Sequence, residues 1–338
     1  MAKQSDPTSS PSVLVTGGTG FLGSYLIRYL LKKGYRVSST HRPQSTFELV
    51  ESVKDQVEWM EGDILDVPFL EDAMEQVDQV YHCAAMVSFD PRDVKKMMQI
   101  NVEGTANVVN TALYRNIQKL LHVSSVAAIG RVKRQVPISE KTKWQRSKYN
   151  TNYAISKFLS EQEAWRGDAE GLNVVVINPA TILGSGFWER STVRLFKQVQ
   201  EGLRFYPVGT NTYVDVRDVA RLSIQLMEAN ISGQRVIAAS EHWSYLHFFT
   251  AIAQALGKKP PSIRVNYFLR NLAWQLEWFR SRLSGQRPLI TRETALQSAR
   301  NNIYENYKSI ELFQFDYIPV AQTIQEVADQ LLTAQKEG

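Results

Sequence analysis

Val13-Leu14-Val15-Thr16-Gly17-Gly18-Thr19-Gly20-Phe21-Leu22-Gly23 is the stretch from which the fold is read. An apolar run enters a glycine cluster, and an apolar-periodic segment over residues 21–32 leaves it. That segment stops at Gly34, the residue type expected just past a helix C-terminus. A second apolar run over residues 35–39 completes a strand–helix–strand unit. Gly17, Gly20 and Gly23 stand at the spacing Gly-x-x-Gly-x-x-Gly where the strand turns into the helix. With no Cβ in the way, backbone N–H groups at such a helix start can hold a pyrophosphate. The turn, with Thr19, Phe21 and Leu22 among its residues, therefore predicts a dinucleotide site.

Further strands are predicted at residues 57–60, 79–83, 120–124 and 173–178, each separated from the next by a helix-length segment. Parallel strands need crossover connections, so this alternation implies an α/β doubly wound parallel sheet with helices on both faces. Residues 1–11 read as a loose tail, 12–180 as the dinucleotide-binding domain and 181–338 as a smaller, mostly helical substrate lobe. Some sheet and helix segments of the lobe are expected to return to the first domain. Within it, residues 193–200 are predicted helical, residues 212–216 form a short strand leading into a helix capped by Asp218, and residues 236–239 form another strand.

The 338 residues are 43% hydrophobic and 22% charged, ordinary globular composition. The net charge of +5 is spread without a basic run, so no nucleic-acid partner is expected, and no metal site is expected. A single cysteine, Cys83, excludes an internal disulfide and suits a reducing compartment. The polar tail lacks the apolar core of a signal peptide, so a cytoplasmic protein is expected. Residues 265–283 are aromatic and leucine-rich, but Arg270, Glu277, Arg280 and Arg282 interrupt them, which argues against a spanning helix. They read either as an amphipathic helix packed on the protein or as a membrane-surface or partner-binding helix.

The chemistry is concentrated in Tyr153-Ala154-Ile155-Ser156-Lys157. A Lys four residues after a Tyr shares its helical face, and its charge can pull the phenol pKa down from about 10. Such a Tyr can pass a proton beside a nicotinamide. After the second strand, where a carboxylate would bind the ribose of NAD, the chain has Thr40-His41-Arg42. Arg42 suits a 2′-phosphate, so NADP(H) is favoured and NAD(H) is the alternative. Asp63, followed by Ile64, either accepts the adenine amino group or caps a helix.

These motifs resemble the extended short-chain dehydrogenase/reductases over residues 12–332. The shared pieces include His82-Cys83-Ala84-Ala85, Asn101-Val102-Glu103-Gly104-Thr105, Ser124-Ser125, Asn178-Pro179-Ala180 and a stretch from Tyr213 to Asp218. Within that group the chain looks most like dihydroflavonol-4-reductase-like and 3β-hydroxysteroid-dehydrogenase-like members. The resemblance implies a Rossmann fold and an NADP(H)-dependent oxidoreductase that reduces a carbonyl of a largely hydrophobic small molecule. It implies Tyr153 as proton donor, Lys157 on the nicotinamide ribose and Ser125 orienting the carbonyl. Asn101 either binds a water that links Lys157 to solvent or satisfies helix backbone, and His82 supports its strand end. Cys83, Ala84, Ala85, Met86 and Val123 would line the cofactor, with Pro179, Ala180 and Ile182 at the nicotinamide. Substrate contacts would come from Met86, Ser88, Phe89, Ser125, Phe187 and Tyr206, and from the loop at residues 130–149. Lys133, Arg134, Lys141, Lys143, Arg146 and Lys148 in that loop either attract an anionic substrate or are simply solvated. A homodimer is implied as well.

Nucleotide-sugar epimerases and dehydratases, with tightly held NAD, share most of these motifs. They usually carry an Asn and an Arg for the sugar-nucleotide phosphates where this chain has Thr181 and Asn211. A non-catalytic nucleotide-binding sensor is the other alternative, against which the intact Tyr153/Lys157 pair argues.

Overall fold

The computed structural model describes residues 11–130, 137–147, 149–188, 192–288 and 290–337. Lys133, Arg134 and Lys148 of the basic loop, and residues 1–10 of the tail, lie outside the described residues.

The chain begins β1 Ser12–Thr16, α1 Phe21–Lys32, β2 Arg36–His41, β3 Glu58–Glu61, α2 Val67–Ala73, β4 Gln79–His82, α3 Val94–Met98 and α4 Gly104–Tyr114. It continues with β5 Lys119–Val123, α5 Asn152–Ala169, β6 Val174–Pro179, β7 Thr181–Leu183, α6 Val193–Gln200, β8 Phe205–Tyr206, β9 Thr210–Asp215 and α7 Val216–Glu228. It ends with β10 Gln234–Ala238, β11 Glu241–Ser244, α8 Tyr245–Ala255, β12 Ile263–Arg264, α9 Tyr267–Ser284, α10 Arg292–Gln297, α11 Tyr307–Phe313 and α12 Val320–Glu337.

Seven parallel strands form the main sheet in the order β10-β6-β5-β4-β1-β2-β3. Strand side chains alternate between faces, so β1 supplies two cores at once. Val13 and Val15 join Leu26, Ile27 and Leu30 of α1 and Val219 and Leu222 of α7. Leu14 joins Leu70, Val108, Val109 and Ala164 on the other face. Burial on both faces explains why β6 opens on four consecutive apolar residues, Val174 to Ile177, rather than alternating. The strand order reverses between β1 and β4, so the carboxyl ends of these two strands diverge into a crevice.

The C-terminal part contributes β10 to that sheet and builds a separate small sheet, β11-β9-β7. A third core there unites Leu183, Phe196, Phe248, Ile252, Ile324 and Val327. Truncating one of these fully buried side chains to Ala would cost about 2–5 kcal/mol.

Two sequence expectations are corrected. The cap of α7 is Asp215, whose carboxylate accepts the Arg217 N–H at 2.7 Å. Asp218 lies inside the helix, where it holds Ile318 N–H at 2.8 Å and Arg221 at 2.5 Å. The helix predicted over residues 265–283 exists as α9, but it is not packed against the body along its apolar face. Phe268, Leu276 and Phe279 are 71%, 60% and 57% exposed, and Ser281 is its one buried residue. Periodicity reports that a helix has an apolar stripe and does not report what covers it.

Candidate active site

At the crevice, Gly17 adopts φ +74° and runs so close to the β4 end that a Cβ would lie 2.9 Å from Ala84 Cα. Gly20 N–H bonds Gly17 O at 3.0 Å, and α1 starts from Gly20 with no side chain capping it. A close backbone turn with an uncapped helix start is the form that receives a pyrophosphate, so these residues fit a dinucleotide cofactor. The turn opens on a cavity of about 820 Å³. Gly17, Thr19, Gly20, Phe21, Leu22 and Gly23 line one side of it. Arg42, Asp63 and Ile64 line the next, and Cys83, Ala84, Ala85 and Met86 another. Thirteen predicted cofactor residues, four strands apart in sequence, thus meet around one space. Asp63 does not cap α2; Asp66 does, and Asp63 accepts the Leu65 N–H at 3.1 Å.

The cavity also has members that sequence reasoning did not assign: Thr40, His41, Gln44, Ser45, Lys96 and Arg287. Thr40 and His41 adjoin Arg42, and Ser45 closes the Arg42 turn by accepting its N–H at 3.1 Å. Arg287 carries no sequence signal. It arrives from beyond α9 by an ion pair to Asp93 at 2.9 Å.

A buried relay supports the β4 end. Thr105 Oγ1 donates to Asn101 O at 2.6 Å, so it can only accept from His82 Nε2 at 3.0 Å. His82 Nδ1 then accepts from Thr16 Oγ1 at 2.7 Å, which itself accepts the Ala84 N–H at 3.2 Å. Burial, helped by the Lys157 charge, pushes the His82 pKa down to about 3, so this imidazole stays neutral. Asn101 lies in a π-helical turn, Gln99–Glu103, a local widening that often marks functional positions. Its amide clasps Met86 through both backbone groups, at 2.7 and 2.9 Å, and reaches Ser156 Oγ at 3.0 Å.

Tyr153 stands in the first turn of α5, whose N-cap Thr151 accepts the Ala154 N–H at 3.0 Å. Its ring meets Phe89 edge-on, centroids 5.7 Å apart. Burial raises its phenol pKa, and the contact with Ser125 pulls the other way. The sequence reading expects Lys157 to lower that pKa. Here desolvation of the phenolate prevails, and the Lys157 ammonium is engaged elsewhere, donating to Val123 O at 2.9 Å. Lys157 is itself almost fully buried, which lowers its pKa to about 8 against an opposing pull from Glu161.

Glu161, one turn further along α5, is a buried neighbour of the site that the sequence reading does not single out. Its carboxylate is fully buried and accepts from Ser124 Oγ at 2.6 Å, Asn178 Nδ2 at 2.8 Å, Trp165 and Arg235. Asn178 also donates to Ser125 O at 3.0 Å, so one carboxylate ties the ends of β5 and β6 to the Tyr153 helix. Ser125 Oγ accepts the Ala127 N–H at 3.2 Å. Pro179 ends β6, the neighbour of the β5 strand that Val123 ends; Ala180 N–H donates to Ala238 O at 2.9 Å, and Ile182 lies in β7 of the small sheet.

Among the predicted substrate residues, Met86 and Phe89 lie beside the cavity and Tyr153 respectively. Ser88 is buried with its hydroxyl committed to Asp93 at 2.6 Å. Tyr206 packs on the third core from β8, and Phe187 follows Gly186, which abuts Phe21.

The family model described as the NAD dependent epimerase/dehydratase family matches residues 13–239. The chain belongs to this family. A sterol demethylase protein B of Methylococcus capsulatus is 30% identical, over 75% of this chain and 77% of that protein. A cinnamoyl-CoA reductase 1 of Petunia hybrida is 31% identical, over 71% and 74%. A putative dihydroflavonol 4-reductase of Synechocystis is 28% identical, over 96% and 94%. Among solved structures, that of gox2253 superposes with a TM-score of 0.83 at 26% identity, over 96% of this chain and 99% of that one. The epimerase/dehydratase family fold, the motifs and the reductase-named relatives agree: the chain is an NAD(P)-dependent enzyme of the reductase/dehydrogenase type.

Proposed function

We propose that the protein reduces the carbonyl of a largely hydrophobic small molecule with NADP(H), Tyr153 supplying the proton. The observation that carries this reading is the arrangement of Tyr153 against Ser125 and Phe89, with Lys157 one helical turn away. A reduced nicotinamide, when bound, delivers two electrons and a hydrogen to the carbonyl carbon. Oxygen then needs a proton, and Tyr153, whose raised pKa keeps it protonated at neutral pH, donates it. Ser125 orients that oxygen by donating a hydrogen bond. Lys157, one turn from Tyr153, would hydrogen-bond the nicotinamide ribose, and Asn101 fixes the Met86 backbone that borders the site.

Arg42, with Lys96 and Arg287 lining the same cavity, favours the extra phosphate of NADP(H). Phe89 and Met86 offer apolar surface to the substrate, with Phe187 and Tyr206 from the substrate lobe, residues 181–338. The test is a screen of aldehydes and ketones that follows NADPH absorbance, with Tyr153→Phe as control. Net NADPH oxidation with alcohol formation supports the reading; sugar-nucleotide turnover on tightly held NAD with no net redox change overturns it.

A further inference from the structure

Phe268, Leu272, Leu276, Phe279 and Leu283 follow one another along α9 at intervals of four, four, three and four residues, which sets them in one stripe. They are between 40% and 74% exposed, and Tyr267 and Trp278 beside them are 74% and 55% exposed. A contiguous aromatic and aliphatic face of this kind is unusual on a protein surrounded only by water.

The charges on the helix indicate what covers it. α9 carries Arg270, Arg280 and Arg282 against the single acid Glu277. Arg282 lies 5.5 Å from the Trp278 ring centroid and Arg270 lies 4.9 Å from that of Tyr267, so two cations ride on exposed amphipathic rings. Trp and Tyr with flanking Arg beside a Leu/Phe stripe is the composition of a helix lying in a lipid headgroup region. A second copy of this chain would present the same cationic surface to itself. No described helix is long and apolar enough to cross a membrane, so α9 lies along the surface.

The end of α9 is fastened to the site. Arg92 donates to Gly285 O and Gln286 O, each at 3.2 Å, and Arg287 pairs with Asp93. Asp93 holds Ser88, next to the Phe89 that meets Tyr153, and Arg287 reaches the cofactor cavity.

We infer that α9 is a peripheral docking helix for an anionic bilayer surface. The Phe268-to-Leu283 stripe enters the interface, and Arg270 and Arg282 meet lipid phosphates, while Arg280 neutralises Glu277 beside them. This does not depend on the identity of the substrate.

The test is co-sedimentation of the full chain with phosphatidylcholine vesicles, with and without phosphatidylglycerol. Binding should be at least about tenfold stronger to the anionic vesicles and should weaken with added salt. The triple variant Phe268→Gln/Leu276→Gln/Phe279→Gln should lose about tenfold or more while melting where the wild type does. Tyr114→Gln, at an exposed residue that ends α4 and lies outside the stripe, should change nothing. Arg282→Glu, which keeps the stripe, should weaken binding to anionic vesicles alone. Failure to bind anionic vesicles, equal binding by the triple variant, a lowered melting temperature of that variant, or a dimer that it dissolves would each overturn the inference.

Discussion

The Asn211 amide donates to the Thr181 hydroxyl at 2.7 Å, joining β9 to its parallel neighbour β7. In nucleotide-sugar enzymes of similar sequence these two positions usually serve phosphates; in this chain they satisfy each other. A double-mutant cycle with Asn211→Ala and Thr181→Val should return a coupling of about 1 kcal/mol in denaturant unfolding. Titration with uridine diphosphate should show no saturable binding in the micromolar range. Tight binding would mean that the pair opens, and it would restore the sugar-nucleotide reading.

Arg42 gives a second prediction. With Arg42→Ala, the preference for NADPH over NADH in kcat/KM should fall about tenfold or more, as expected for a lost charge-assisted hydrogen bond. Activity with NADH should change little. An unmoved preference would pass the 2′-phosphate role to Lys96 or Arg287, the other cations of the cavity.

The pH dependence follows from Lys157. Its pKa of about 8 means that the ammonium is present at neutral pH and lost above it, while Tyr153 stays protonated. The kcat/KM for reduction, which reports ionisations of the free enzyme, should therefore be level near pH 7 and fall about tenfold per pH unit well above 8. A level profile through pH 10 would contradict a role for this charge.

The same burial should be visible in stability. Folded Lys157 holds its proton less tightly than an unfolded lysine at 10.5, so its penalty is fully present below pH 8 and fades as pH rises toward 10.5. The difference corresponds to about 3 kcal/mol at neutral pH, partly offset by the bond to Val123 O. Lys157→Met should accordingly melt a few degrees higher than the wild type at pH 7, with the gap closing near pH 10. Scanning calorimetry at the two pH values checks both the sign and the window.

Much of this was legible in the chain. The Gly17–Gly23 turn and six of the seven sheet strands before residue 180 announce themselves through apolar runs and glycine spacing, because those signals are local. The cavity lining at Arg42 follows from a strand end, and that at Cys83–Met86 from the family resemblance of the segment after β4. What stayed hidden depends on tertiary placement. Arg287 reaches the cavity only through its ion pair with Asp93, some 190 residues distant in sequence. Glu161 looks like any helical carboxylate until Ser124, Asn178 and Arg235 converge on it. Asp215 and Asp218 are equally good cap residues by type, and only the backbone decides between them. Spacing reveals the charge near Tyr153 but not the desolvation that raises its pKa.

The central claim, that Tyr153 is the proton donor of a carbonyl reductase, is tested most directly by comparing wild type and Tyr153→Phe in NADPH oxidation with apolar aldehydes and ketones. The account predicts alcohol formed in step with NADPH consumed by the wild type, and a rate at least about a hundredfold lower in the variant with NADPH affinity unchanged. A Tyr153→Phe enzyme that reduces these carbonyls at the wild-type rate would contradict it.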